Sequence, residues 1–326
     1  MKSFRTYKIM TGILAGLFAV VIGMAIISIA NIAPYFSLLL GCFLSLPIFT
    51  VAFGRGTLAS LVALISATVV LVIVTNVYIS LCFMLLFFLP AVYASWLLGL
   101  ARPAQGGNSL IWYPLSLVIF HLTNFIAFIS SFIGLYIETR PSTPLIAKKV
   151  TANITQAMQQ SQSLKETDIL AFSEFLMTHA ATFTAIALAI YSVIFLIGNL
   201  YFSIVTAQHM QWLKRPRDDW SQTLRLPMSG IVIFIVVCIA SMIELGFTLN
   251  LIARVFSTAY TVIISITGLA YLHNITKGIN GRIIILSLVY IAILTVVFAP
   301  PLSFMMLLMG IWAAIQYNFQ SRKKLH

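Results

Sequence analysis

Charge is what this chain has least of. Its 326 residues include seven Asp and Glu and 19 Lys and Arg, so that 8% are charged against 61% hydrophobic. A soluble domain carries about 25% charged residues, and no single core of this length hides so much apolar surface. The scarcity excludes a water-soluble globular domain and makes the bilayer the solvent for most of the chain. Cysteine is nearly missing as well. Cys42, Cys82 and Cys238 each sit in an apolar run, which excludes a disulfide framework and a cysteine metal site. Enzyme signatures are also missing: there is no phosphate-binding glycine loop, no Gly-x-Ser-x-Gly elbow and no His-Glu-x-x-His. The chain is therefore expected not to be an enzyme and to need neither cofactor nor metal. Asp218-Asp219 is the single acidic pair. A magnesium site normally collects more carboxylates, and Arg215 and Arg217 alongside make the pair read as local charge balance in a solvated loop.

The few charges that are present punctuate the chain. Residues 9–54 are uncharged for 46 residues until Arg55, and 56–101 for another 46 until Arg102. One crossing takes roughly 20 residues, so each run holds two crossings and a turn. Continuing in this way predicts an all-α, polytopic transmembrane bundle of about ten helices. The segments are 9–30, 35–53, 57–74, 77–100, 111–136, 179–205, 228–249 and 254–272, with the run 283–317 broken in two at Pro300-Pro301. The first segment, at 22 residues, is longer than a signal-peptide core of about 7–15 and is read as a retained helix. Three regions result: 1–136 with five helices, 137–178 as an external amphipathic loop, and 179–326 with five more helices and a basic loop at 206–227. Within the external loop, Ile146, Val150, Ile154 and Met158 recur every four residues. Ser163 and Glu166 have capping-box spacing, ahead of Ile169, Phe172 and Leu176. Two such helices form either a lid or a pair lying on the lipid interface.

Net charge is +12. In a soluble chain that points to nucleic acid. Here ten crossings with both termini inside place 14 of the 19 basic residues on the cytoplasmic side and five outside, as the positive-inside rule requires. The basic, tryptophan-bearing loop "QHMQWLKRPRDDW" follows from the same rule, and no nucleic-acid partner is expected. An eight-crossing layout keeps both termini inside equally well.

Polar groups inside the crossings are the candidates for function. His121, ten residues into its segment, lies near mid-membrane by this count, and Asn124 is one turn further on the same face. Asn199 lies in the sixth segment. These residues either bind a polar solute or hydrogen-bond a neighbouring helix. Glu244 is the one carboxylate of its apolar run. With a hairpin turn at Asn250, Arg254 lies at similar depth, so Glu244 and Arg254 are expected to form an ion pair. The alternative is a carboxylate that handles a proton or solute. The first segment carries small residues at helix-packing spacing, Gly12 and Gly16, then Ala15, Ala19 and Gly23.

"GNLYFSIVTAQHMQWLKRPRDDW", "LRLP", "TGLAYLHNITKGINGR" and "LLMGIWAAIQYNFQSRKK", with "IWYPLSLVIF" upstream, resemble the YybS-like membrane proteins of bacteria, a family of unknown function. That family is distantly similar to the S components of energy-coupling-factor transporters, which capture a substrate and dock a membrane partner through small residues of their first helix. The resemblance implies an inner-membrane protein embedded in the lipid bilayer. It also implies solute binding or transport, and a partner subunit docking on Ala15, Ala19 and Gly23. The extra C-terminal helices and the long outer loop depart from the S-component pattern. A non-transporting scaffold or assembly factor is the second reading, and an intramembrane enzyme the third.

Overall fold

The computed structural model describes residues 2–30, 32–104, 109–140, 171, 174–295 and 299–323. The helical periodicity at 146–158 and the capping box at Ser163 and Glu166 lie outside them. The described chain is almost wholly helical. It runs α1 (Lys2–Ile29), α2 (Pro34–Gly41), α3 (Leu46–Arg55), α4 (Thr57–Val74) and α5 (Val77–Phe83). A π-helical turn, Met84–Phe88, leads into α6 (Leu89–Leu98), followed by α7 (Leu115–Glu138), α8 (Ala180–His209) and a single turn, α9 (Trp220–Thr223). Then come α10 (Met228–Met242), α11 (Phe247–Ile275), α12 (Arg282–Leu294) and α13 (Ala299–Lys323). Between α6 and α7, β1 (Ala101–Pro103) and β2 (Leu110–Trp112) form an antiparallel hairpin with Ala101 opposite Trp112. The sequence reading placed 111–113 in a helix. Pro103 and Pro114, each without an N–H, favour extended backbone around the turn instead.

Among the described residues, eight helical segments are long and apolar enough to cross a membrane, so the chain is a multi-pass helical bundle. Two further apolar helices, α10 and α12, have 15 and 13 residues, roughly 22 and 20 Å at 1.5 Å per residue. That is short of a hydrocarbon core of about 30 Å. The bundle's outer surface is greasy, with Met10, Leu14, Phe18 and Val21 of α1 exposed on one face, as lipid contact demands.

Packing inside the bundle relies on small residues. The α4 row Ala59, Ala63 and Ala67 is fully buried, and Gly12 and Gly16 of α1 lie so close to it that a Cβ on either would overlap an α4 carbonyl. Ala19 is fully buried and Ala15 half-buried, while a Cβ on Gly23 would touch the Phe83 ring at 3.2 Å. The small-residue ridge of α1 is thus occupied by this chain's own helices. At the other end of the sequence, α11 and α13 cross at Gly268 and Gly310. A Cβ on Gly268 would overlap the Met306 carbonyl, and one on Gly310 the Ile264 carbonyl.

Two crossings are irregular where they meet α8. Pro47 interrupts the second crossing, which unwinds between α2 and α3. Pro90, which has no N–H to give, follows the π turn of the fourth. Asn199 of α8, with no exposed surface, reaches into the first of these breaks. Its Oδ1 accepts the Ser45 N–H at 3.1 Å, and its Nδ2 donates to the carbonyls of Gly41 at 3.0 Å and Phe195 at 2.7 Å. The Ser45 hydroxyl in turn donates to the Phe87 carbonyl at 3.2 Å, inside the π turn. Non-helical backbone is tolerated at membrane depth only where protein satisfies it, and here Asn199 and Ser45 do so.

Candidate functional site

The loop after α8 organises one end of the molecule. Gln211 adopts a left-handed φ of 55°, which ends α8, and the Trp212 N–H folds back onto the Ala207 carbonyl at 2.8 Å. Arg215 then turns inward and is only 8% exposed. Its Nη1 donates to the carbonyls of Leu98 and Tyr113, both at 3.3 Å, which lie at the end of α6 and just ahead of α7. Its Nη2 pairs with the Asp218 carboxylate at 2.6 Å. Burial lowers the basicity of Arg215 and pushes the Asp218 carboxyl above its ordinary range, against the pull of the pair. Asp219 serves a different cation. Its Oδ1 caps α9 by accepting from Ser221 N and Oγ, and its Oδ2 accepts from Lys277 Nζ at 2.5 Å. The two adjacent carboxylates are therefore balanced separately, one within the loop and one by the far end of α11. Arg217 donates instead to Gln208 at 3.2 Å. Arg225, 4% exposed, holds the loop's exit by donating to the Leu224 and Ser221 carbonyls at 2.7 and 2.6 Å, and burial lowers its basicity.

Between this loop, α8, the last turns of α11 and α12 lies a cavity of about 610 Å³. Its apolar floor includes Leu224, Ile266, Leu269 and Ala270. On one wall Trp220 stands edge-on to Tyr201, with ring centroids 5.1 Å apart. On another, His273 Nε2 and Tyr290 OH are hydrogen-bonded at 2.9 Å, and Arg282 Nη2 donates to the His273 carbonyl at 3.4 Å. Two polar atoms of lining residues are buried without a partner, Arg282 Nε and Trp220 Nε1. Both are donors. The charged lining residues are Arg217, Lys277 and Arg282 with Asp218 and Asp219, whose carboxylates are already paired with Arg215 and Lys277, so the arrangement suits a ligand that brings acceptor oxygens and an apolar body.

The Asp219–Lys277 link carries a pH dependence. The Lys277 hydrogen bond, then Ser221, holds the Asp219 carboxyl below its ordinary value of 3.8. The stabilisation is thus present above that value and is lost as pH falls through the depressed folded pKa. Both side chains are more than 40% exposed, which limits the link to about 0.2–1 kcal/mol. Asp219→Asn is expected to lower the thermal midpoint slightly at pH 7, and the difference from the parent should close on acidification below 3.8. A difference independent of pH would show that the charge contributes nothing.

The residues expected to bind a solute lie elsewhere. His121 is the seventh residue of α7, because the helix starts at Leu115. It lies about 9 Å from the helix end, not at mid-membrane, and its Nε2 meets Tyr113 OH at 3.1 Å. Asn124 donates to the Phe120 carbonyl at 2.8 Å and accepts from Tyr260 OH at 3.0 Å. Asn199 supports the helix break described above. None of the three lines the 610 Å³ cavity. The expected Glu244–Arg254 ion pair is corrected. The turn falls at 243–246 rather than at Asn250, since α10 ends at Met242 and Gly246 takes a φ of 84°. Glu244 is exposed in that turn, Arg254 is exposed two turns into α11, and no ion pair joins them. Asn250 instead accepts the Leu245 N–H at 3.3 Å. Sequence reasoning missed His273, Arg282, Tyr290 and Trp220. The signal was there in the basic residues Lys277 and Arg282 around Gly278 and Gly281, but positive-inside bias accounts for the same charges. Compared with protein-family models, curated proteins and solved structures, the chain matches none.

Proposed function

We propose that this chain is a solute-binding, transport-related membrane subunit that takes an organic anion with an apolar body at its basic face. That face is read as cytoplasmic, in a bacterial inner membrane. The observation that supports the reading is the 610 Å³ cavity, where Arg217 and Arg282, which pair with no carboxylate among the described residues, and the Trp220 ring stand beside an apolar floor. Cavities of about 300–1,000 Å³ with few polar groups on apolar walls are the usual form of small-molecule sites. The resemblance to the YybS-like family points the same way.

The test is a thermal-shift titration of the detergent-solubilised protein against small aromatic and aliphatic carboxylates and their neutral amides. A ligand at 100 times its Kd stabilises by about 2.7 kcal/mol. The acids are expected to raise the midpoint and the amides not. Arg282→Gln, which removes the positive charge, and Trp220→Phe, which removes the indole N–H, keep most of the volume and should abolish the shift. If no acid shifts the parent, or the shift survives in both variants, the reading fails. The scaffold reading draws on a different observation: His121, Asn124 and Asn199 are all hydrogen-bonded within the chain. It gains ground if the titration is flat.

A further inference from the structure

A second cavity, of about 590 Å³, opens among the ends of α1, α3, α4 and α6 and the start of the loop after α8. Among the described residues, its charged lining residues are Lys8, Arg55, Lys214 and Arg215, with no carboxylate. Arg215 is neutralised by Asp218. Arg55 and Lys214 add formal positive charge around one concave volume, where like charge concentrates an anion. Positive-inside bias explains why cations collect at this end. It does not explain how Arg55 is built in. The Arg55 guanidinium donates from Nη2 to Tyr7 OH at 2.8 Å and is clasped between two rings, 4.6 Å from that of Tyr7 and 5.0 Å from that of Trp212. Gly54 lets Trp212 approach, since a Cβ there would overlap the indole. These contacts orient the guanidinium and supply no negative charge, and its Nε is buried without a partner. Trp96 and Trp112 complete the walls, as amphipathic rings do at a membrane interface.

We propose that this cavity binds a phosphate group, carried either by an anionic phospholipid headgroup or by a soluble phosphate ester. A planar, pre-oriented guanidinium with flanking lysines matches a tetrahedral oxyanion, and basic pockets between membrane helices are suited to lipid phosphates. The volume exceeds that of bare phosphate and admits a glycerophosphate. The cavity is separate from the one lined by Arg282, so the two assignments stand or fall independently.

The experiment has two arms, each at constant ionic strength set with chloride. In the first, the detergent-solubilised chain is titrated with inorganic phosphate and with glycerol 3-phosphate. In the second, it is reconstituted in nanodiscs of phosphatidylcholine with increasing phosphatidylglycerol. The thermal midpoint is read in both. A saturable rise in the first arm identifies a soluble phosphate, and one confined to the second identifies a lipid. Arg55→Gln and Lys214→Gln should each raise the half-saturating concentration at least ten-fold. Arg55→Lys should retain part of the affinity, and Arg282→Gln should leave the response unchanged. Lys214 is exposed, so its variant keeps the test open if Arg55→Gln fails to fold. A flat response in both arms, or parental half-saturation in the Lys214 variant, overturns the proposal.

Discussion

Replacing Gly268 or Gly310 with alanine is expected to destabilise the protein, although the same change stabilises most helices. In an unconstrained helix, Gly→Ala gains about 1 kcal/mol. Here the added methyl would overlap the Met306 or Ile264 carbonyl across the α11–α13 crossing. The obstacle is backbone, which cannot rotate aside as a side chain does. Overpacking typically costs about 1–3 kcal/mol, which outweighs the propensity gain, and leucine at either position should separate the two helices altogether. Gly198 of α8 is the internal control, because nothing lies within 4 Å of a Cβ built there. Thermal unfolding in mild detergent should rank Gly198→Ala at or above the parent, Gly268→Ala and Gly310→Ala below it, and the leucine variants lowest. A Gly268→Ala variant as stable as the parent would mean that α11 and α13 are not held at this spacing.

Asn199→Leu should be the most damaging single change among the polar residues of the crossings. It removes the acceptor from the Ser45 N–H and one donor from the Gly41 carbonyl, which keeps the Leu44 N–H at 3.3 Å. An unsatisfied buried group costs about 1–3 kcal/mol, and no water at this depth replaces the lost partner. A loss of roughly 2 kcal/mol or more is expected, read as a lower thermal midpoint and less folded protein in the membrane. Ser45→Ala deletes only the hydroxyl bond to Phe87 and should cost less. Asn199 lines none of the binding cavities described here, so ligand responses should survive in whatever protein folds. If Asn199→Leu unfolds within about 0.5 kcal/mol of the parent, a size set by ordinary surface substitutions, the break between α2 and α3 is held by something else.

Much of the fold was legible in the residues themselves. The uncharged runs at 9–54 and 56–101 determine paired crossings, because the bilayer's thickness sets a length that no soluble context imposes. Pro300-Pro301 marks where α13 begins, and the basic residues mark one face. What the sequence did not determine is every feature whose partner lies far along the chain. The unwound turn before Pro47 is stable only because Asn199, 154 residues from Ser45, supplies its hydrogen bonds. Arg215 was read as a solvated loop charge, yet it turns inward to the carbonyls of Leu98 and Tyr113, more than 100 residues upstream. Glu244 and Arg254 stand close in sequence but unpaired, because a left-handed glycine moved the turn and left the carboxylate exposed. The places of the crossings follow from local hydrophobicity, which each residue carries with it. Polar satisfaction inside a membrane is pairwise and long-range, and only the tertiary structure decides which groups meet.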